Sequence, residues 1–160
     1  MGQEPRFEHL ESTKLIGISL EMSRADDQTP QLWRSFMPRR KAISNRTSQE
    51  YMSMQIYPHG PTQIADPSAM FTKWAVVQVE NFDAVPEGMK TYTLNGGLYA
   101  VFQHTGPATD LSTVMYIFQE WLPRSDYALD DREHFEVLPS NYNALDPNAH
   151  EEFWIPVRQK

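Results

Sequence analysis

Six stretches of the chain carry the hydrophobic pattern of strands and two carry that of helices. Residues 14–22 put Leu15, a gap at Gly17 and Ser19 on one face, and Ile16, Ile18, Leu20 and Met22 on the other, which predicts a strand. Thr29-Pro30 then matches a helix start, with the hydroxyl as cap and proline at the first helical position. Leu32, Trp33, Phe36 and Met37 follow at helical spacing, up to a break near Pro38. Residues 51–57 alternate as a strand and stop at Pro58-His59-Gly60-Pro61, and residues 71–79, rich in valine and aromatics, form another. Residues 81–95 show little period and read as a connector.

The plan then repeats. Residues 97–104 read as a strand, residues 110–121 as a helix with Val114, Ile117, Phe118 and Trp121 on one stripe, and residues 134–138 and 150–157 as strands. Phe36-Met37-Pro38-Arg39 answers Trp121-Leu122-Pro123-Arg124 at an offset of 85 residues, which also lays Ile16 on Val101 and Trp33 on Phe118. The expected fold is α+β: one domain over residues 1–160, built as a tandem pseudo-two-fold repeat of β-α-β-β modules. Repeat 1 covers about residues 10–80, a linker residues 81–95, and repeat 2 about residues 96–160. Neither module is large enough to be comfortable alone, and the seam between them is a natural cleft.

The last strand carries the most unusual chemistry. Glu152, Trp154 and Pro156 share one face, and Glu151, Phe153, Ile155 and Val157 the other. A carboxylate is costly to bury without a partner, and an indole beside it offers a π-face, so the pair suits a flat or cationic small molecule. The plainer alternative is an edge strand with Glu152 in water.

Composition narrows the function classes. A chain without cysteine has no disulfide, thiol nucleophile or cysteine metal site. His59, His104, His134 and His150 fall at predicted element ends, none paired at the spacing of a helical zinc site, so neither metal nor cofactor is expected. A formal charge of −7 opposes attraction to phosphate backbones, and direct nucleic-acid binding is not expected. No apolar run approaches the roughly 20 residues of a membrane span, so a cytoplasmic protein is expected, with no membrane partner. The oligomeric state is not readable from the pattern.

Gly96-Gly97-Leu98-Tyr99-Ala100-Val101-Phe102, Trp121-Leu122-Pro123, His134-Phe135-Glu136 and Glu152-Phe153-Trp154-Ile155-Pro156-Val157 resemble, in order and spacing, the GyrI-like family. Such domains also serve as effector-binding domains of AraC-type and multidrug-responsive bacterial regulators. Leu32-Trp33 to Pro38 and residues 51–57 extend the likeness over nearly the whole chain. The resemblance implies antiparallel sheets curving around a groove, a ligand site lined by rings and one or two glutamates, and structurally varied, often cationic, hydrophobic ligands. It also implies acids at the positions of Glu136 and Glu152. Regulators of this kind carry a helix-turn-helix domain ahead of the ligand domain; thirteen residues before the first predicted strand cannot hold one, so a stand-alone module is expected.

The expected ligand-binding residues are Glu152 and Trp154 first, then Glu136 with Leu138 on its strand face, and the rings Tyr99, Trp74, Trp121 and Trp33. For Trp33 and Trp121, on apolar helix stripes, core packing is the plainer reading. Asp126, Asp130, Asp131 and Arg132 read as a solvated charged turn, and Arg39 and Arg124 as compensating the carbonyl ends of their helices. Two other functions stay open beside binding. One is hydrolysis of strained electrophilic small molecules by a pocket glutamate, with Glu152 or Glu136 as the catalytic acid or base. The other is a protein partner, such as gyrase inhibition.

Overall fold

A computed structural model describes residues 2–160 of the chain. The elements in order are β1 (Arg6–Leu10), β2 (Thr13–Met22), α1 (Thr29–Phe36), a 3-10 helix (Met37–Ala42), β3 (Tyr51–Ile56), a 3-10 turn (Pro61–Ala65), β4 (Phe71–Val79) and β5 (Lys90–Leu94). There follow β6 (Gly97–Thr105), α2 (Ser112–Tyr116), a π-helical turn (Ile117–Trp121), α3 (Leu122–Arg124), β7 (Tyr127–Leu129), β8 (His134–Leu138) and β9 (His150–Gln159). All strands pair antiparallel in the order β1-β6-β9-β8-β3-β4-β2-β5, with β7 added to β9. The fold is α+β. Each half contributes three adjacent strands, β2-β4-β3 and β6-β9-β8, and the two trios meet where β3 pairs β8.

The outermost strands are exchanged between the halves. β1 pairs β6 of the second half, and β5 pairs β2 of the first. Leu10 therefore sits opposite Gly97 while Thr13, three residues on, sits opposite Leu94. Three peptide steps span at most about 11 Å, so the sheet must curl until its two ends come together at this crossing. Gly96 marks the contact: its φ is +88°, and a Cβ there would lie 2.1 Å from the Leu10 carbonyl oxygen. Glycine is required both by conformation and by the close approach of two backbones.

The curl gives the sheet an inner and an outer face. Leu15, Met54, Trp74, Val76, Leu94, Tyr99 and Phe135 fill the inner face. On the outer face α1 packs Leu32 and Phe36 against Ile16, Ala75, Val77 and Leu138, and the second helical stretch packs Ile117 and Trp121 against Ala100, Phe102, Ile155 and Val157.

Several expectations are corrected here. The connector over residues 81–95 contains β5, and β1 precedes the first expected strand. Thr29 does not cap α1 through its hydroxyl; it is already helical, and both its N–H and its hydroxyl donate to Asp27 Oδ1, at 3.0 and 2.6 Å. The second helix is not regular through Trp121, because the π turn shifts its phase and swings Phe118 to stack on His134 at 6.4 Å. Arg39 donates to the Glu87 carbonyl and Arg124 to the Tyr116 hydroxyl, while Arg40 takes up the Met37 carbonyl. The 85-residue offset holds for the helix ends but slips in the first strand: Ile16 faces α1 whereas Val101 faces inward. An odd slip along a strand reverses the face of every side chain.

Candidate functional site

β3 and β8 form the seam between the two helix-covered regions of the outer face. Their outward positions carry polar groups: Ser53 and Gln55 on β3, and Glu136 on β8 opposite Ser53. Lys73, opposite Gln55 on β4, and Glu151, on β9, extend this face on either side. Glu136 Oε2 accepts a 2.9 Å hydrogen bond from Gln55 Nε2, and Oε1 lies 3.9 Å from Lys73 Nζ. The Gln55 Oε1 is buried and has no partner among the described residues.

Glu151 is 6 % exposed and accepts a 2.9 Å hydrogen bond from the Tyr142 hydroxyl. Burial, reinforced by the neighbouring Glu136 carboxylate, pushes its carboxyl up to about 7, with Tyr142 and Lys73 opposing. Burial also raises the Tyr142 hydroxyl, as does Glu151. His134 is held down at about 4 by burial and then by Arg132, so it is neutral. Half-buried rings flank the acids: Trp33, Tyr57 and Tyr142 belong to the α1 core, Phe118 and Phe153 to the other. Two carboxylates against one ammonium, in partial burial, leave the seam short of positive charge whenever Glu151 is ionised.

The inner face holds a separate hollow of about 390 Å³, whose walls include Met52, Phe135, Val137 and Trp154, with Arg6, Glu50 and Glu152 at its polar end. Glu152 receives Arg6 Nη1 and Nη2 at 2.9 and 3.3 Å, Gln103 Nε2 at 2.9 Å and the Trp154 indole N–H at 3.1 Å. Burial pushes its carboxyl up, but the Arg6, Gln103 and Trp154 hydrogen bonds outweigh this and leave it below the usual range.

The sheet thus divides the expected site residues. Glu152 and Trp154 meet in the inner hollow. Tyr99 and Trp74 share that face but lie in its packed core, Tyr99 donating to the Glu133 carbonyl at 2.9 Å and Trp74 packing on Tyr92 at 5.3 Å. Glu136, Leu138, Trp33 and Trp121 are on the outer face, Leu138 and Trp121 buried in the two helix cores and Trp33 edge-on to Tyr51. Glu151, Tyr142, Lys73, Gln55 and Arg6 were missed. One signal was available for Glu151: it shares its strand face with Phe153, Ile155 and Val157, the more apolar side, where an acid is the greater anomaly.

A family model described as a GyrI-like small molecule binding domain matches residues 3–158. The chain belongs to the GyrI-like family. The Transcriptional regulator BrlR of Pseudomonas aeruginosa is 27 % identical over 145 residues, covering 89 % of this chain and 51 % of the regulator. This GyrI-like chain therefore spans about half the length of that curated relative. Among solved structures, SAV2435 bound to tetraphenylphosphonium superposes with a TM-score of 0.73 at 14 % identity, over 98 % of this chain and 94 % of that one. EcmrR, in an EcmrR–DNA complex, gives 0.71 at 11 % identity over 98 % and 58 %. A hydrolase encoded by lin2189 from Listeria innocua gives 0.64 at 11 % identity over 98 % and 93 %. At these identities the structural likeness establishes the shared GyrI-like fold. No helix among the described residues is long and apolar enough to cross a membrane, and no group of three or more His, Asp and Glu is placed among them to hold a metal ion.

Proposed function

We propose that this GyrI-like domain binds hydrophobic organic cations at the outer seam, with Glu136 and Glu151 supplying the negative charge and the flanking rings the apolar contact. The observation that carries this reading is the buried Glu151, pushed up to about 7 beside Glu136. Such an acid gives up its proton when a cation arrives, so the ligand replaces the missing countercharge. The Gln55 amide that donates to Glu136 also carries a buried Oε1 without a partner among the described residues. The same fold in SAV2435 is seen bound to tetraphenylphosphonium, a hydrophobic cation of this class. Titration of tryptophan fluorescence with tetraphenylphosphonium at pH 8 tests the reading. Glu136→Gln is expected to weaken binding by about tenfold or more, the ~1.4 kcal/mol of one partly buried charge contact, while the exposed Glu8→Gln leaves it unchanged. Equal affinities for wild type and Glu136→Gln would refute the assignment.

A second reading is favoured by the same acid. A carboxyl near 7 that accepts from a tyrosine hydroxyl is matched to general acid–base work at neutral pH. If the domain hydrolyses a strained electrophile such as an epoxide, turnover should show an inflection near pH 7 and vanish in Glu151→Gln.

A further inference from the structure

The basic residues around α1 supply no charge to the seam, yet they are sharply segregated from the acids. Between Asp27 and Glu50 the chain holds Arg34, Arg39, Arg40, Lys41 and Arg46 and no acid. This stretch is +5, and because the whole chain is −7 the other residues together carry −12. Four of the five cations lie on α1 and the 3-10 helix that continues it, with Arg34, Arg39 and Lys41 exposed. Seven residues separate Arg34 from Lys41, roughly 10–14 Å at the rise of these helices, so the charges form one short patch.

Nothing within the chain neutralises this patch. Among the described residues the ion pairs involve Arg6, Lys73 and Arg132, and none of these five cations. Arg39 donates to the Glu87 carbonyl, Arg40 to the Met37 carbonyl at 2.6 Å and Arg46 to the Glu50 carbonyl at 3.1 Å. Main-chain carbonyls satisfy N–H groups but carry no net charge, so the field of the patch is left for a partner. The adjoining loop does bring in Glu87, but it is the carbonyl of that residue that takes Arg39. A planar guanidinium fork matches a carboxylate, and the patch is mostly arginine. Duplex DNA would run its phosphates past so short a patch onto the acidic remainder of the surface, whereas a segment of a few acidic residues would not. We propose that α1 and the 3-10 helix form a docking surface for a short acidic segment of a partner protein.

The test is the fluorescence anisotropy of a fluorescein-labelled hexaglutamate peptide titrated with the full chain. Binding is expected at about 20 mM salt and should weaken at least about tenfold at 300 mM, as screening dictates for exposed charges. Arg34→Gln combined with Lys41→Gln should weaken it at least about fivefold with no change in the urea midpoint, since both side chains are exposed. Arg158→Gln combined with Lys160→Gln removes the same charge from the last strand and its end, and should leave binding within about twofold of wild type. The proposal is overturned if the peptide does not bind, or if the two double variants lose affinity equally, which would make the effect one of net charge. It is also overturned if a 12-base-pair duplex binds the patch more tightly than the peptide, or if the patch instead proves to hold a second copy of the chain in sedimentation. None of these outcomes bears on tetraphenylphosphonium binding at the seam, which is read with Glu136→Gln.

Discussion

Glu151→Gln is expected to make the protein more stable at pH 8, by up to about 3 kcal/mol. The folded carboxyl is pushed up to about 7 from an ordinary value of 4.5. Between those values the folded chain holds a proton that the unfolded chain has released, so stability falls as pH rises from 4.5 to 7, and the deficit is complete above 7. At about 1.4 kcal/mol per pH unit, that window accounts for the stated gain. Glutamine carries no charge at any pH and still offers an oxygen to the Tyr142 hydroxyl. Urea unfolding of both proteins at pH 5.5 and pH 8 measures the effect, with the gap between them wider at pH 8. A variant no more stable than wild type at pH 8 would mean that burial and the Glu136 charge do not load this acid. Under the proposed function the same proton controls binding. Affinity for tetraphenylphosphonium should climb with pH by up to about tenfold per unit below 7 and level off above it, and the slope should disappear in Glu151→Gln.

The second large effect belongs to Arg132, a residue whose sequence context reads as a solvated turn. Its side chain is 18 % exposed and its guanidinium donates to the carbonyls of Gly96, Leu98 and Val157. Nε pairs with Asp130 at 2.7 Å, and the guanidinium carbon lies 4.8 Å from the centre of the Tyr99 ring. One cation therefore ties together β6, β9 and the backbone at Gly96, where the ends of the sheet cross. Arg132→Met fills similar volume but leaves the three carbonyls without this donor, and a hydrogen bond to a charged group contributes about 1.5–3 kcal/mol. The expected loss is about 3–5 kcal/mol in urea unfolding. Lysine should recover only part of it, since an ammonium cannot reproduce the planar fork. A methionine variant within about 1 kcal/mol of wild type would show that the crossing is held by the main chain and the glycine alone.

The strands legible in the sequence share a physical property. β2, β3, β4, β6, β8 and β9 are interior to the sheet, so their side chains face a packed core on at least one side and alternation is enforced. β1 and β5 lie at the ends of the sheet, and β7 is a three-residue addition to β9; each leaves much of its side-chain surface exposed or half-buried. A strand with little buried surface has little pattern to read. The expected boundary between two halves falls where β3 pairs β8, and the pattern marks only part of the polar group that this pairing assembles on the outer face. Glu136 and Glu152 stand out in the pattern, whereas Glu151, on the more apolar face of the last strand, gains its meaning only from the pairing of β8 with β9.

The residues alone determine that this chain makes two helix-backed strand trios, because period-two and helical spacing are local properties that any burial scheme must respect. They also place an acid on each face of the last strand. Which acid lacks a countercharge is a tertiary matter. Arg6 reaches Glu152 across 146 positions, since β1 crosses to the far half, and so neutralises the inner acid. Glu151 comes near Glu136 on the outer face because β8 lies beside β9, and the ammonium of Lys73 lies against Glu136 rather than Glu151. Charge balance in a folded protein depends on separations of a few ångströms, and the crossing of β1 to the far half together with the pairing of β8 and β9 sets those separations here.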